Sequence, residues 1–142
     1  MLKLLEGKCK VKVLGKESDN HTNYQRVQLC SYFARSKVYI YCVDPVLGWG
    51  APEALGLQPL EALLCGATVF SNLYGGLTNS MVPGVNMHQL INPEYDAKRI
   101  LHTVQNFEIN HAEIMKVSEH YSRQETFKRI SIILKELDAY YA

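Results

Sequence analysis

Apolar and polar positions along this chain change their period several times, and each change marks an element. The stretch Cys9-Lys-Val-Lys-Val-Leu14 alternates at period two and stops at Gly15, which predicts a strand. Over 24–35 the residues Val27, Cys30, Tyr32 and Phe33 fall at helical spacing. Lys37-Val-Tyr-Ile-Tyr-Cys-Val43 is dense in β-branched and aromatic residues and predicts a second strand, with Tyr39 and Tyr41 on one face of it. Asp44-Pro45 then opens a loop that carries Gly48, Trp49, Gly50 and Pro52. A helix is expected over 59–65, closed by Gly66, followed by a strand over 67–71 and a turn at Gly75-Gly76. A last strand is expected over 88–91. Asn92-Pro93-Glu94 combines an N-cap residue, a first-position proline and a first-turn acid, the signature of a helix start. Ile100, Leu101, Val104 and Phe107 then share one apolar helical face. Phe127, Ile130, Ile133, Leu134 and Leu137 share another on a final helix ending near Tyr141, a stripe that reads most simply as core. Alternating strands and helices predict an α/β layer fold, in one domain over 1–142.

Composition removes several classes of function. The formal charge of +1 provides no broad basic field, so no nucleic-acid partner is expected. No apolar run approaches the roughly 20 residues that cross a bilayer, so no integral membrane segment is expected and any membrane contact would be peripheral. Cys9, Cys30, Cys42 and Cys65 are dispersed, which suggests reduced, mostly buried thiols and a cytoplasmic protein. His21, His88, His102, His111 and His120 show no pair at ligand spacing with a third donor, and no metal or cofactor is expected.

Chemistry concentrates between two carboxylates. Glu53 and Glu61 bracket Gly56 and the start of the short apolar helix. With Pro59 at the first helical position, Gln58 falls at the N-cap, where it is a poor substitute for Ser, Thr, Asp or Asn. Glu61 would then lie in the first turn. An under-capped start leaves backbone N–H groups and the positive end of the helix dipole facing outward, a ready site for phosphate, and the glycine lets the backbone come close to it.

These residues resemble the retaining glycosyltransferases of the GT-B type, especially the large family 4, also called glycosyl transferase group 1. The resemblance covers roughly 37–107 and rests on Glu53 and Glu61 in register, the inner Gly56-Leu57, Pro59-Leu60-Glu61-Ala62, Cys65-Gly66, Ser71-Asn72 and Gly75-Gly76-Leu77. It implies the later part of a C-terminal, donor-binding domain, with a Rossmann-like parallel sheet flanked by helices and ending in long C-terminal helices. In such a domain Glu53 would accept hydrogen bonds from the donor sugar and stabilise developing positive charge. The loop of Ala54, Leu55, Gly56 and Leu57 would face the sugar and diphosphate, and Glu61 would hold the ribose hydroxyls. The chain departs from the common pattern at Ala54-Leu55, Thr68 and Asn79, and its loop over 43–52 is longer than usual.

The resemblance implies binding of a nucleotide-sugar donor as substrate, for retaining transfer of a hexose to a sugar, lipid-linked or polysaccharide acceptor. The family's diphosphate-neutralising Arg and Lys and its acceptor domain have no counterpart in these residues. The expectation is therefore a fragment or reduced homologue that does not catalyse transfer alone and that self-associates or docks on an N-terminal portion. In the family's strand order the segment at 10–14 is third, at an edge, and those at 37 and 67 are fourth and fifth. The alternative is a non-catalytic interaction or regulatory domain that keeps the fold without turnover. A sugar-nucleotide epimerase fits the paired glutamates less well.

Overall fold

Strand Val38–Tyr41 supplies one edge of a parallel sheet in the computed structural model of the chain, which describes residues 1–13, 26–42 and 56–141. In chain order the described elements are α1 (Leu2–Leu5), α2 (Arg26–Ala34), β1 (Val38–Tyr41), α3 (Leu57–Leu64), β2 (Thr68–Ser71), α4 (Leu77–Ser80), β3 (His88–Gln89), α5 (Pro93–Gln105), α6 (His111–His120) and α7 (Arg123–Tyr141). They fall into two compact units, Met1–Ile109 and Asn110–Ala142.

In the first unit the three strands lie in the order β1-β2-β3, all parallel. Val38 is opposite Thr68 and Phe70 is opposite His88. The sheet alternates as period two requires. Val38 and Ile40 pack with Phe70 against α1 and α5, where Leu5, Ala97 and Ile100 are buried. Tyr39 faces the other way, edge-on to Phe33 of α2 at 4.9 Å and bonded to Gln58 of α3. Helices therefore cover both faces, and the fold class is α/β with a small parallel sheet.

Most helix signals act as expected. Asn92 caps α5 by accepting from the Tyr95 N–H, with Pro93 at its first position. Beyond the other end of α5, Lys37 donates to the Val104 carbonyl at 2.9 Å and lies over the Phe107 ring. Gly66 closes α3 in the left-handed region, its N–H bonding Leu63 O while the Ala67 N–H bonds Ala62 O, a Schellman motif.

Four expectations are corrected. Residues 9–13 are not a strand: Val11 and Val13 are exposed, and alternation alone cannot hold an extended segment without a neighbour to pair with. Helix α3 begins at Leu57 with Gly56 as its cap, so Gln58 is not the N-cap, Pro59 is at the third position, and Glu61 lies in the second turn. Proline costs nothing there, because the first intrahelical bond is made by the next N–H, Leu60 to Gly56 O. The thiols are free but none is fully buried, and Cys42 is exposed. Finally, no residue of α7 is buried, so its stripe is not core.

In the second unit α6 and α7 are joined through Tyr121 and Ser122. Asn110 caps α6 through the Glu113 N–H, and Ser122 caps α7 through the Glu125 N–H, three residues on in each case. Arg129 of α7 donates to the His120 carbonyl at the end of α6, neutralising the negative end of that helix.

Candidate functional site

The start of α3 lies at the carboxyl edge of the sheet by topology. β1 and β2 are parallel and α3 returns the chain between them, so its first residue is beside the end of β1 and its last beside the start of β2. In open parallel sheets that edge is where ligands bind.

Gly56 fixes this corner. Its φ is 72°, a left-handed conformation that glycine adopts without penalty. A Cβ there would come within 2.3 Å of Leu77 Cδ2, and Leu77 is wholly buried at the first position of α4. Gly56 is thus brought against the residue that follows the Gly75-Gly76 turn, although Gly56 and Gly75 are 19 positions apart in the sequence. No side chain caps α3. Leu57 projects to solvent at 53% exposure, and Gln58 beside it holds the Tyr39 hydroxyl at 3.1 Å. Glu61 is half-buried one turn further in. An uncapped helix start with positive dipole, an apolar contact at Leu57 and a carboxylate one turn along can bind an anion carrying hydroxyl groups.

Of the expected site residues, Gly56, Leu57 and Glu61 belong to this corner. Glu53, Ala54 and Leu55 lie outside the described residues, as does the loop with Trp49.

The Cys65 thiol at the far end of α3 is biased toward its protonated form. Burial pushes its pKa up, and the Cys30 thiol and Glu61 carboxylate push it further. Among the described residues no group of three or more His, Cys, Asp and Glu side chains could hold a metal ion.

A second polar cluster is on the α5 face of the sheet. Asp96 is 2% exposed and accepts from the Ile91 N–H at 2.7 Å and from Arg99 at 3.0 Å. Arg99 also donates to the Gln89 carbonyl, and its guanidinium lies 5.3 Å from each of the Phe70 and Tyr95 ring centroids. Through Nη1, Arg99 ties β3 to α5, and an open depression of about 430 Å³ lies beside this joint. Sequence reasoning passed over this joint, whose signal is the Asp-x-x-Arg spacing at 96 and 99 on one helix face.

His88 stacks on Phe70 at 4.7 Å within this cluster. Burial first, and the Arg99 charge second, hold its imidazole below the ordinary value. Folding therefore favours the neutral ring. The associated stability is complete above the unfolded pKa of about 6.5 and is lost as pH falls through the lower folded value. Urea unfolding should show lower stability at about pH 5 than at about pH 7.5, with a smaller difference in His88→Gln. An equal difference in both proteins would remove His88 as a cause.

No protein-family model, curated protein or solved structure matches the chain. Among the described residues no helix is long and apolar enough to cross a membrane.

Proposed function

We propose that the chain is the donor-nucleotide half of a retaining, GT-B type glycosyltransferase of family 4, acting on a UDP-, GDP- or ADP-hexose. The observation that carries this reading is the corner at which Gly56 abuts Leu77, because it gathers two separated parts of the sequence motif around an uncapped helix start. In this reading the amides of Leu57 and Gln58 face the diphosphate, and Glu61 accepts hydrogen bonds from the ribose hydroxyls. Glu53 positions the sugar and favours an oxocarbenium-like transition state electrostatically. The parallel β1-β2-β3 order agrees with the later strands of a Rossmann-like sheet.

One observation favours the non-catalytic alternative. Between Lys37 and Lys98 the sequence contains no lysine or arginine, across α3, β2, α4 and β3. Charge on a leaving diphosphate would be met there by amides and a helix dipole alone, and phosphoryl leaving groups are ordinarily stabilised by cations. Turnover in this reading needs cations from outside that span, which is why we expect no sugar transfer by the isolated chain.

Thermal melts with millimolar UDP, GDP or ADP and their sugars separate the two readings. A ligand bound only by the folded state stabilises by about 2.7 kcal/mol at a hundred times its Kd, a rise of several degrees. The proposal expects that rise with one base and its reduction in Glu61→Ala. Melting temperatures unmoved by all three nucleotides and their sugars would leave the non-catalytic reading.

A further inference from the structure

The depression beside the Asp96 joint gathers donors that the joint does not use. Its volume of about 430 Å³ is within the range of roughly 300–1,000 Å³ over which small-molecule sites fall. Phe70 of β2, His88 of β3 and Lys98, Arg99, His102 and Thr103 of α5 line it, and none of these is acidic. Parallel pairing sets His88 opposite Phe70, so its ring is on the α5 side and stacks there. On α5, Lys98 and Arg99 precede His102 by four and three residues, so the three share one helical face.

The donors of Arg99 divide unequally. Nη1 makes both of its bonds, to the Gln89 carbonyl at 2.9 Å and to Asp96 at 3.0 Å. Nε and Nη2, the nitrogens of the guanidinium's side edge, have no partner among the described residues. That edge presents two parallel N–H groups, the fork that matches two oxygens of one phosphate or carboxylate. The group is also held in place, because it lies over both the Phe70 and Tyr95 rings at 5.3 Å. A donor pair already fixed costs little to order on binding.

Lys98 has no ion pair or side-chain hydrogen bond among the described residues, not even with Glu94 one turn earlier, and the His102 ring is equally unengaged. Thr103 gives its proton to the Arg99 carbonyl and adds no donor. Of the acids on α5, Glu94 does not line the depression, and Asp96 is enclosed and turned to Arg99 Nη1 and the Ile91 N–H. Lys98 is thus the uncompensated charge and Arg99 the oriented donor. Basic groups anywhere around the second half of α5 would suit its dipole, so the dipole does not account for their gathering at one depression.

We propose that this depression binds a phosphate monoester of a small molecule, its phosphoryl oxygens on the Arg99 edge, Lys98 and His102 and its body against the His88 ring. A phosphate fits better than a carboxylate, because it brings three terminal oxygens and close to two charges to three separate donors. The depression is open, so the affinity is modest, with a Kd on the order of 0.1–1 mM. The site is on the opposite face of the sheet from α3, and the inference does not rest on what the α3 corner binds.

Amide NMR of the whole chain, titrated with phenyl phosphate at constant ionic strength, tests it. Saturable shifts should appear over residues 88–89 and 98–103, and benzoate should bind about tenfold more weakly. Lys98→Ala with His102→Ala, at two exposed positions whose side chains hold nothing else, should weaken binding about tenfold at an unchanged urea midpoint. Arg99→Lys should weaken it too, since the charge is kept and the paired donors are lost. Because Arg99 also holds the joint, the Lys98 and His102 pair is the deciding variant. Shifts no larger than sodium chloride gives, binding untouched by the double substitution, or benzoate binding as tightly as phenyl phosphate would each overturn the inference. Shifts confined to 56–61 would overturn it as well and would place the anion at the start of α3, so the two sites are told apart.

Discussion

Gly56→Ala is expected to lower the stability of the first unit by about 2–4 kcal/mol, read as a urea midpoint lower by roughly 1–2 M with an unchanged slope. Two costs combine. The residue sits at a φ of 72°, where a Cβ meets its own carbonyl and the conformation costs about 1–2 kcal/mol. The added methyl also falls 2.3 Å from Leu77 Cδ2, inside contact distance, and Leu77 has no exposed surface into which to retreat. Overpacking of a filled core costs about 1–3 kcal/mol. The two costs can be separated. Leu77→Ala alone should cost about 2–5 kcal/mol through its cavity, but combined with Gly56→Ala it should cost less than the sum of the single changes, because the methyl enters the vacated space. Additive effects would mean that the two residues do not touch.

Asp96→Ala is expected to cost about 3 kcal/mol, a large effect for a change outside the candidate site. The carboxylate is almost wholly enclosed, and it is the acceptor for both the Ile91 N–H and Arg99. Its removal leaves an amide and a partly buried guanidinium without that partner, and unmade bonds of this kind are costlier than made ones are stabilising. Asp96→Asn should cost less, since one oxygen remains for the Ile91 N–H. Comparable losses in the two variants would show that the carboxylate's charge, more than its bond to the Ile91 N–H, holds β3 to α5. Nucleotide protection should survive Asp96→Asn, because the joint is on the α5 face and α3 packs on the other.

Signals held within a few residues were readable from the sequence. The Asn92-Pro93 start, the Gly66 stop, the Gly75-Gly76 turn and the strand over 67–71 each follow from local backbone preferences, and each is present. Two readings that needed a particular neighbour did not survive. Alternation at 9–13 resembles a strand, but strands exist by pairing and the pattern does not name a partner. The stripe on α7 has the period of a buried face, and period alone does not supply the cover. The start of α3 was misplaced by two residues because Pro59 is tolerated at any of the first helical positions, and the deciding fact, the left-handed Gly56 against Leu77, is a tertiary contact. For the site, the cluster of Gly56, Leu57 and Glu61 was legible as spacing. Its convergence with the Gly75-Gly76 turn was not, since only the fold joins them.

The parallel register of the sheet also sets an order in time. Phe70 meets His88 across a short excursion through α4, and the Asp96 joint then ties β3 to α5, so the segment from β2 to α5 can organise from nearby contacts. Val38 can meet Thr68 only after all of α3 has been threaded between them, a longer loop with a larger closure entropy. Docking of β1 on β2 is thus expected to follow organisation of the segment from β2 to α5, and its release to precede that segment's opening, while α1, which packs on α5, closes a longer loop still. The α3 corner, whose connection begins at the end of β1, is the part of the first unit where a bound ligand would most strongly slow that opening.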